Sequence, residues 1–262
     1  RTKVSELLDY YNAYDASAES NYMSQNFANT YFDTYNSQKI GFIREDIESK
    51  FLAHKVNDRE RAMVVTSLIY AMDRISHTCG HYDSFIRDGK YEGELILRMP
   101  DNGYELNVNN HVYCADSNMI ASDESVDVAY LDPPYNSRQY CDAYHLLENV
   151  ARWEKPQVFG IAKKMDRTQM KSNYCKSVEA AKALRDLVLK LNSRYILLSY
   201  NNNGKKLQCR SNAKMTDEEI IEILSLRGDV KVFTMGYRGF DAGKSEFNKD
   251  NQERIFLCSV NK

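Results

Sequence analysis

Asp132, Pro133, Pro134 and Tyr135 place a carboxylate, backbone carbonyls and an aromatic ring within four consecutive residues. Such a set can grip a planar amine. The exocyclic amino group of adenine, for example, offers two N–H donors on a flat ring. Asp132 can accept one hydrogen bond and the Pro133 carbonyl the other, while Tyr135 stacks on the ring. Two acceptors off the ring plane favour the sp³-like nitrogen that forms as the amine attacks, so they stabilise the transition state over the ground state. An amine held in line with an activated methyl group needs neither a metal nor a covalent intermediate, since positioning alone supplies roughly 7–11 kcal/mol. A base inside a duplex must first be extruded, and stacking on Tyr135 offsets part of that cost. An ordinary strand-ending turn would use the same residues, because Asp and Pro are common turn formers.

The element that must hold this turn is Val126-Asp127-Val128-Ala129-Tyr130-Leu131, a short β-branched and aromatic run that reads as a buried strand. The paired prolines stop it, and Pro133 pushes Asp132 toward an extended backbone. A stiff corner at a strand's C-terminal end is where open α/β sheets present ligands. Only four prolines occur in the chain and two are here.

The formal charge of −2 over 262 residues excludes a polycation, so a nucleic-acid partner requires positive charge gathered on one face. Two stretches gather it. Residues 152–176 hold seven basic side chains, including Lys163, Lys164, Arg167 and Lys171, against Glu154 and Asp166. Residues 205–214 hold Lys205, Lys206, Arg210 and Lys214 with no acid. Together with Arg138, Gln139 and Tyr140, which follow the corner, these are the side chains that could meet a nucleic-acid backbone. No run of about twenty apolar residues suggests a membrane span. The six cysteines are scattered without a Cys-x-x-Cys pair, as expected of reduced thiols in the cytoplasm. His77, Cys79 and His81 lack the spacing and the fourth ligand of a zinc site, so no metal is expected.

Helical spacing predicts a start at Val4–Leu8, a helix from about Ser37 with Ile40, Ile43, Ile47 and Phe51 on one stripe, and another over 58–76. Residues 12–36 read as loop. Alternation predicts strands over 91–100 and 111–114, the latter ending at Asp116 and Ser117. Helices are expected over 142–153 and 177–192, and a third from the capping box Thr216-Asp217-Glu218-Glu219 to about Arg227. Strands at 195–199, 230–235 and 254–260 complete an α/β sheet, with Tyr200 at the exit of the first facing the same pocket.

Asp-Pro-Pro-Tyr behind an apolar strand resembles the catalytic motif of amino-methylating DNA methyltransferases acting on adenine N6. The longer run DPPYNSRQY at 132–140, with Tyr144-His145-Leu146-Leu147-Glu148, Lys171-Ser172-Asn173-Tyr174-Cys175 and Leu198-Ser199-Tyr200-Asn201-Asn202, is similar to the FokI-methylase-like branch. The resemblance implies a partial Rossmann-like methyltransferase sheet over 111–262 and a helical target-recognition region over 1–110. It implies S-adenosylmethionine as cofactor, with Asp116 and Ser117 reading its adenine and Asp132 touching it from the catalytic side. A helix N-cap is the competing role for Asp116. Cytosine N4 is chemically close to adenine N6 and the motif admits it.

The sequence departs from the resemblance in one respect. A Phe-x-Gly-x-Gly turn for the methionine part of the cofactor is absent, as are two of seven strands. The glycines of Met235–Gly243 lie in a closing hairpin instead. The expectation is either a fragment or, the preferred reading, a catalytic half that works with a second polypeptide carrying the cofactor motif, with a sheet left with an unpaired apolar edge. A subunit that only recognises DNA and keeps the corner as a relic is the alternative.

Overall fold

The computed structural model describes residues 2–87, 90–101, 109–201, 213–236 and 252–261. The chain divides into two compact units, Arg1–Asn110 with Tyr140–Gln169, and His111–Gln139 with Met170–Lys262. Residues 140–169, expected with the catalytic part, fold instead into the first unit, because their apolar side chains Leu146, Val150 and Trp153 join its core. Among the described residues no helix is long and apolar enough to cross a membrane.

The first unit is helical: α1 (Thr2–Ala13), α2 (Tyr22–Phe27), α3 (Thr34–Leu52), α4 (Asp58–Ile75), α6 (Tyr140–Ala143) and α7 (His145–Arg152). The two longest helices start on side chains that satisfy orphan amides. Asp33 caps α3, and Asn57 and Glu60 close a reciprocal capping box on α4. Ile40, Ile43 and Ile47 of the expected stripe are fully buried against Val64, Leu68 and Met72. α2 corrects the reading of 12–36 as loop. Asn21 and Ser24 form its capping box, which is a polar signal without apolar periodicity.

The expected strand at 91–100 is not a strand. Leu95 and Leu97 alternate inward as predicted, but among the described residues no neighbouring strand supplies the ladder. Helix side chains take its place. Asn36 Oδ1 accepts from Leu95 N, Asn12 Oδ1 from Leu97 N, and Ser67 Oγ from Arg98 N, at 3.2, 2.8 and 3.0 Å. Asn12 and Asn36 also donate to the carbonyls of Leu97 and Gly93.

The second unit holds α5 (Ser117–Ile120), β1 (Ser125–Leu131), α8 (Ala180–Lys190), β2 (Asn192–Asn201), α9 (Asp217–Ser225), β3 (Gly228–Gly236) and β4 (Gln252–Val260). Its mixed sheet has the order β1-β2-β4-β3, with β1 parallel to β2 and β4 antiparallel to both neighbours. This is the α/β class expected, as part of a Rossmann-like methyltransferase sheet. One face is covered: Ile196, Leu198, Tyr200, Phe256 and Cys258 pack with Leu184, Val188, Ile220 and Leu224. The alternate side chains are not. Val126, Val128 and Tyr130 of β1, Tyr195 of β2 and Phe233 and Met235 of β3 are exposed, Tyr130 at 61% and Met235 at 71%. The strand predicted at 111–114 is absent. Its residues are exposed and, among the described residues, have no strand beside them to complete a ladder. β1 is therefore a sheet edge, apolar and unpaired on its outer side among the described residues.

Candidate active site

β1 ends at Leu131, and the chain then turns through Asp132, Pro133, Pro134 and Tyr135. Asp132 is exposed, and no hydrogen bond or ion pair engages its carboxylate among the described residues. Pro133, Pro134 and Tyr135 are half-buried. A carboxylate at a stiff corner with no internal partner is free to accept from a ligand.

The turn is held from behind. The Tyr135 carbonyl accepts from Lys214 N at 2.9 Å and from the Tyr200 hydroxyl at 3.3 Å. The same Tyr200 oxygen accepts from Lys214 N and Met215 N, each at 3.2 Å. The Tyr135 and Tyr200 rings meet edge to face, with centroids 6.3 Å apart. Tyr200 is buried, and burial pushes its hydroxyl pKa up despite those amide donors. It thus stays neutral and keeps its proton for the Tyr135 carbonyl. Its position at the strand exit was legible in the sequence. Its role as the pin of the corner was not, because the bonds run to backbone atoms 65 and 14 residues away in sequence.

Past the corner, Asn136 Oδ1 accepts from Arg138 N at 2.8 Å, an Asx turn that carries the chain away from the prolines. The Arg138 side chain is exposed. Gln139, expected to contact DNA, is instead spent on Ser172: its Nε2 donates to Ser172 O at 3.0 Å and its Oε1 accepts from Ser172 N at 2.8 Å. Tyr140 is exposed in the first unit, with its ring 6.1 Å from that of Tyr144.

The basic residues separate into two groups. Lys164 is paired with Asp83, and Arg167 Nε lies 2.6 Å from Asp142 Oδ1 with the Met165 carbonyl as a second acceptor. These two were expected to hold phosphates. Both are engaged by acids of their own unit, which charge counting along the chain cannot foresee. Lys163 is half-buried in a left-handed turn (φ 49°), and Lys171 is exposed. Lys205, Lys206 and Arg210 lie outside the described residues.

Asp116 accepts from Asn118 N at 3.0 Å and is the N-cap of the short helix α5. The cap uses one oxygen, and the residue remains exposed, as does Ser117. The capping role and a ligand role are therefore compatible. An exposed carboxylate and an exposed hydroxyl are groups that can hydrogen-bond a polar ligand.

The model of the D12 class of N6 adenine-specific DNA methyltransferases matches residues 1–208. Modification methylase StsI of Streptococcus sanguinis is 34% identical over 256 residues, covering 96% of this chain and 36% of that protein. Type II methyltransferase M.FokI of Planomicrobium okeanokoites is 32% identical over 235 residues, covering 86% and 34%. Type II methyltransferase M.NlaIII of Neisseria lactamica is 30% identical over 217 residues, covering 82% and 62%. The chain thus spans about a third of the length of the first two relatives. No solved structure matches. The proline corner, the sheet behind it and these matches agree, and the chain belongs to the D12 class of N6 adenine-specific DNA methyltransferases.

Proposed function

We propose that this chain carries the amine-gripping part of a DNA adenine-N6 methyltransferase of a restriction-modification system, dependent on S-adenosylmethionine. The observation that carries the proposal is the free Asp132 carboxylate beside a ring whose backbone is pinned by Tyr200. Asp132 and the Pro133 carbonyl accept the two amine hydrogens of an extruded adenine, and Tyr135 stacks on its ring. Asp132 faces water, so the proton released as the nitrogen is methylated can leave through it to solvent. The Tyr200 pin keeps Tyr135 from shifting when the base arrives, which is preorganisation for the transition state. S-adenosylmethionine, when bound, supplies a methyl group activated as a sulfonium, and Asp116 and Ser117 are the residues proposed to hold its adenosine end. Arg138, Lys163 and Lys171 are the basic residues proposed for phosphate contact to double-stranded DNA.

The unpaired β1 edge and the apolar face of Val128, Tyr130 and Tyr195 support a further element of this enzyme: a polypeptide segment bearing the glycine-rich cofactor turn, lying beside β1. Preparations with and without whatever co-purifies are incubated with duplex DNA and methyl-labelled S-adenosylmethionine, and the DNA is digested to nucleosides. Label in N6-methyldeoxyadenosine is expected. Label in N4-methyldeoxycytidine would move the substrate to cytosine. Binding to DNA with no transfer in either preparation would overturn the enzyme in favour of a recognition subunit.

A further inference from the structure

The block Lys171-Ser172-Asn173-Tyr174-Cys175 has so far no task in the reaction, yet its bonds run to both turns that do. One end meets the segment leaving the proline corner. Gln139 and Ser172 exchange two hydrogen bonds at 3.0 and 2.8 Å, and Cys175 Sγ donates to the Arg138 carbonyl at 3.3 Å. The other end meets the turn at Asp116. The buried Tyr174 hydroxyl, 3.0 Å from Asn118 Oδ1 and 3.3 Å from the Ala183 carbonyl, shares its proton between them. Asn118 is fixed on its remaining sides, its Nδ2 donating to Ala183 O and Asp186 Oδ2 at 2.8 and 2.9 Å. Lys190 Nζ donates to the Asn118 carbonyl at 3.0 Å. The backbone amide of that same asparagine is what the Asp116 carboxylate accepts from. Burial and the nearby Asp116 and Asp186 push the Tyr174 pKa up, so the hydroxyl keeps its proton.

We propose that residues 172–175 are a brace that sets the distance between the amine-gripping corner and the cofactor turn, with Tyr174 positioning Asp116 and Ser117, and Gln139 positioning Asp132–Tyr135. Neither Tyr174 nor Gln139 touches a reacting atom; both are positioning residues. The proposal rests on the methyltransferase reading above and adds to it that the two ends of one brace have separable kinetic signatures.

Steady-state methylation of duplex DNA, with the preparation that transfers label, tests it. Tyr174→Phe should raise KM for S-adenosylmethionine roughly three- to tenfold, the loss of one hydrogen bond, with kcat held within about twofold. Gln139→Ala should do the reverse, lowering kcat roughly tenfold while KM for S-adenosylmethionine stays within about twofold. A merely structural role would lower the active fraction in both variants and leave KM alone. Asn118→Ala removes the same contact from the cofactor side and should reproduce the KM effect, which keeps the test decisive if Tyr174→Phe fails to fold. An unchanged KM in both Tyr174→Phe and Asn118→Ala overturns the brace. Asp132→Ala run in parallel separates the two ideas: if it stays active the methyltransferase reading falls, whereas an inactive Asp132→Ala with unchanged KM in the brace variants sinks the brace alone.

Discussion

In the first unit Arg44 is fully buried, yet its Nε donates to the Val150 carbonyl, its Nη1 meets Glu48 at 3.0 Å, and its guanidinium lies over the Trp153 ring. Asp142 takes Arg167, Asp46 takes Lys50 and the Tyr11 hydroxyl, and Glu48 takes Arg61 as well. In the second unit buried Arg254 is likewise paired with Asp217, but Asp132 stands at the end of an edge strand with no partner among the described residues, and Val128, Tyr130, Tyr195, Phe233 and Met235 of the sheet are exposed. The contrast is one of purpose. A unit that spends its charges internally gains a fixed shape, since buried charges persist only when paired. A unit that leaves an acid and an apolar face open forgoes stability, and the reading proposed above uses both openings, one for a ligand and one for a neighbour.

Substitutions on either side can break that contrast. The largest expected effect is Asp132→Ala: methyl transfer falls by roughly a thousandfold or more, about 4 kcal/mol of transition-state stabilisation, with the melting temperature unmoved. A fall in melting temperature comparable to a core mutant would mean the acid is structural after all. Arg44→Ala should do the opposite, costing about 3 kcal/mol of the first unit's stability by orphaning the Val150 carbonyl and emptying the space under Trp153. Trp153 is the single tryptophan of the chain, so its fluorescence in a urea titration reports that unit alone.

Acid should act on the first unit at a defined place. His145 is fully buried; its Nε2 donates to the Tyr82 carbonyl at 2.8 Å, and its Nδ1 has no hydrogen-bond partner among the described residues. Burial, with Lys164 and Arg167 nearby, holds its pKa down at about 4 against an ordinary 6.5. The fold therefore favours the neutral ring. Its contribution is complete above about 6.5 and disappears as pH falls through about 4, a span equivalent to about 3 kcal/mol. Trp153-monitored denaturation between pH 7 and 4 should show this loss, and His145→Gln should flatten it. The smallest effect belongs to the open face. Tyr130→Lys should change the stability of this chain by no more than about 0.5 kcal/mol, because the ring is already in water. The same variant should prevent co-purification of a segment that pairs with β1, as read by sedimentation.

Several features that depend on local sequence were legible, although the capping box that opens α2 was not. The corner at 132–135, the capping box at Thr216 and the apolar stripes of α3, α4 and α8 follow from spacing over a few residues. Where the partner atoms are distant, prediction failed. Residues 91–100 had a strand's alternation without a strand's neighbours, and 111–114 likewise. Lys164 and Arg167 looked like free cations until Asp83 and Asp142 were brought to them by folding. Gln139 and Tyr174 stood inside recognisable blocks, but their tasks depend on backbone atoms and side chains tens of residues away.

The way residues 91–98 are fastened has a consequence for how the first unit loosens. A true ladder zips and unzips as a whole, but here each tie is a separate amide or hydroxyl borrowed from a different helix: Asn12 on α1, Asn36 on α3 and Ser67 on α4. Removal of any single one frees one backbone amide and spares the rest, so hydrogen exchange at Leu95, Leu97 and Arg98 becomes a readout of three helices independently. The segment is thus a set of gauges, each reporting the local opening of the helix that holds it.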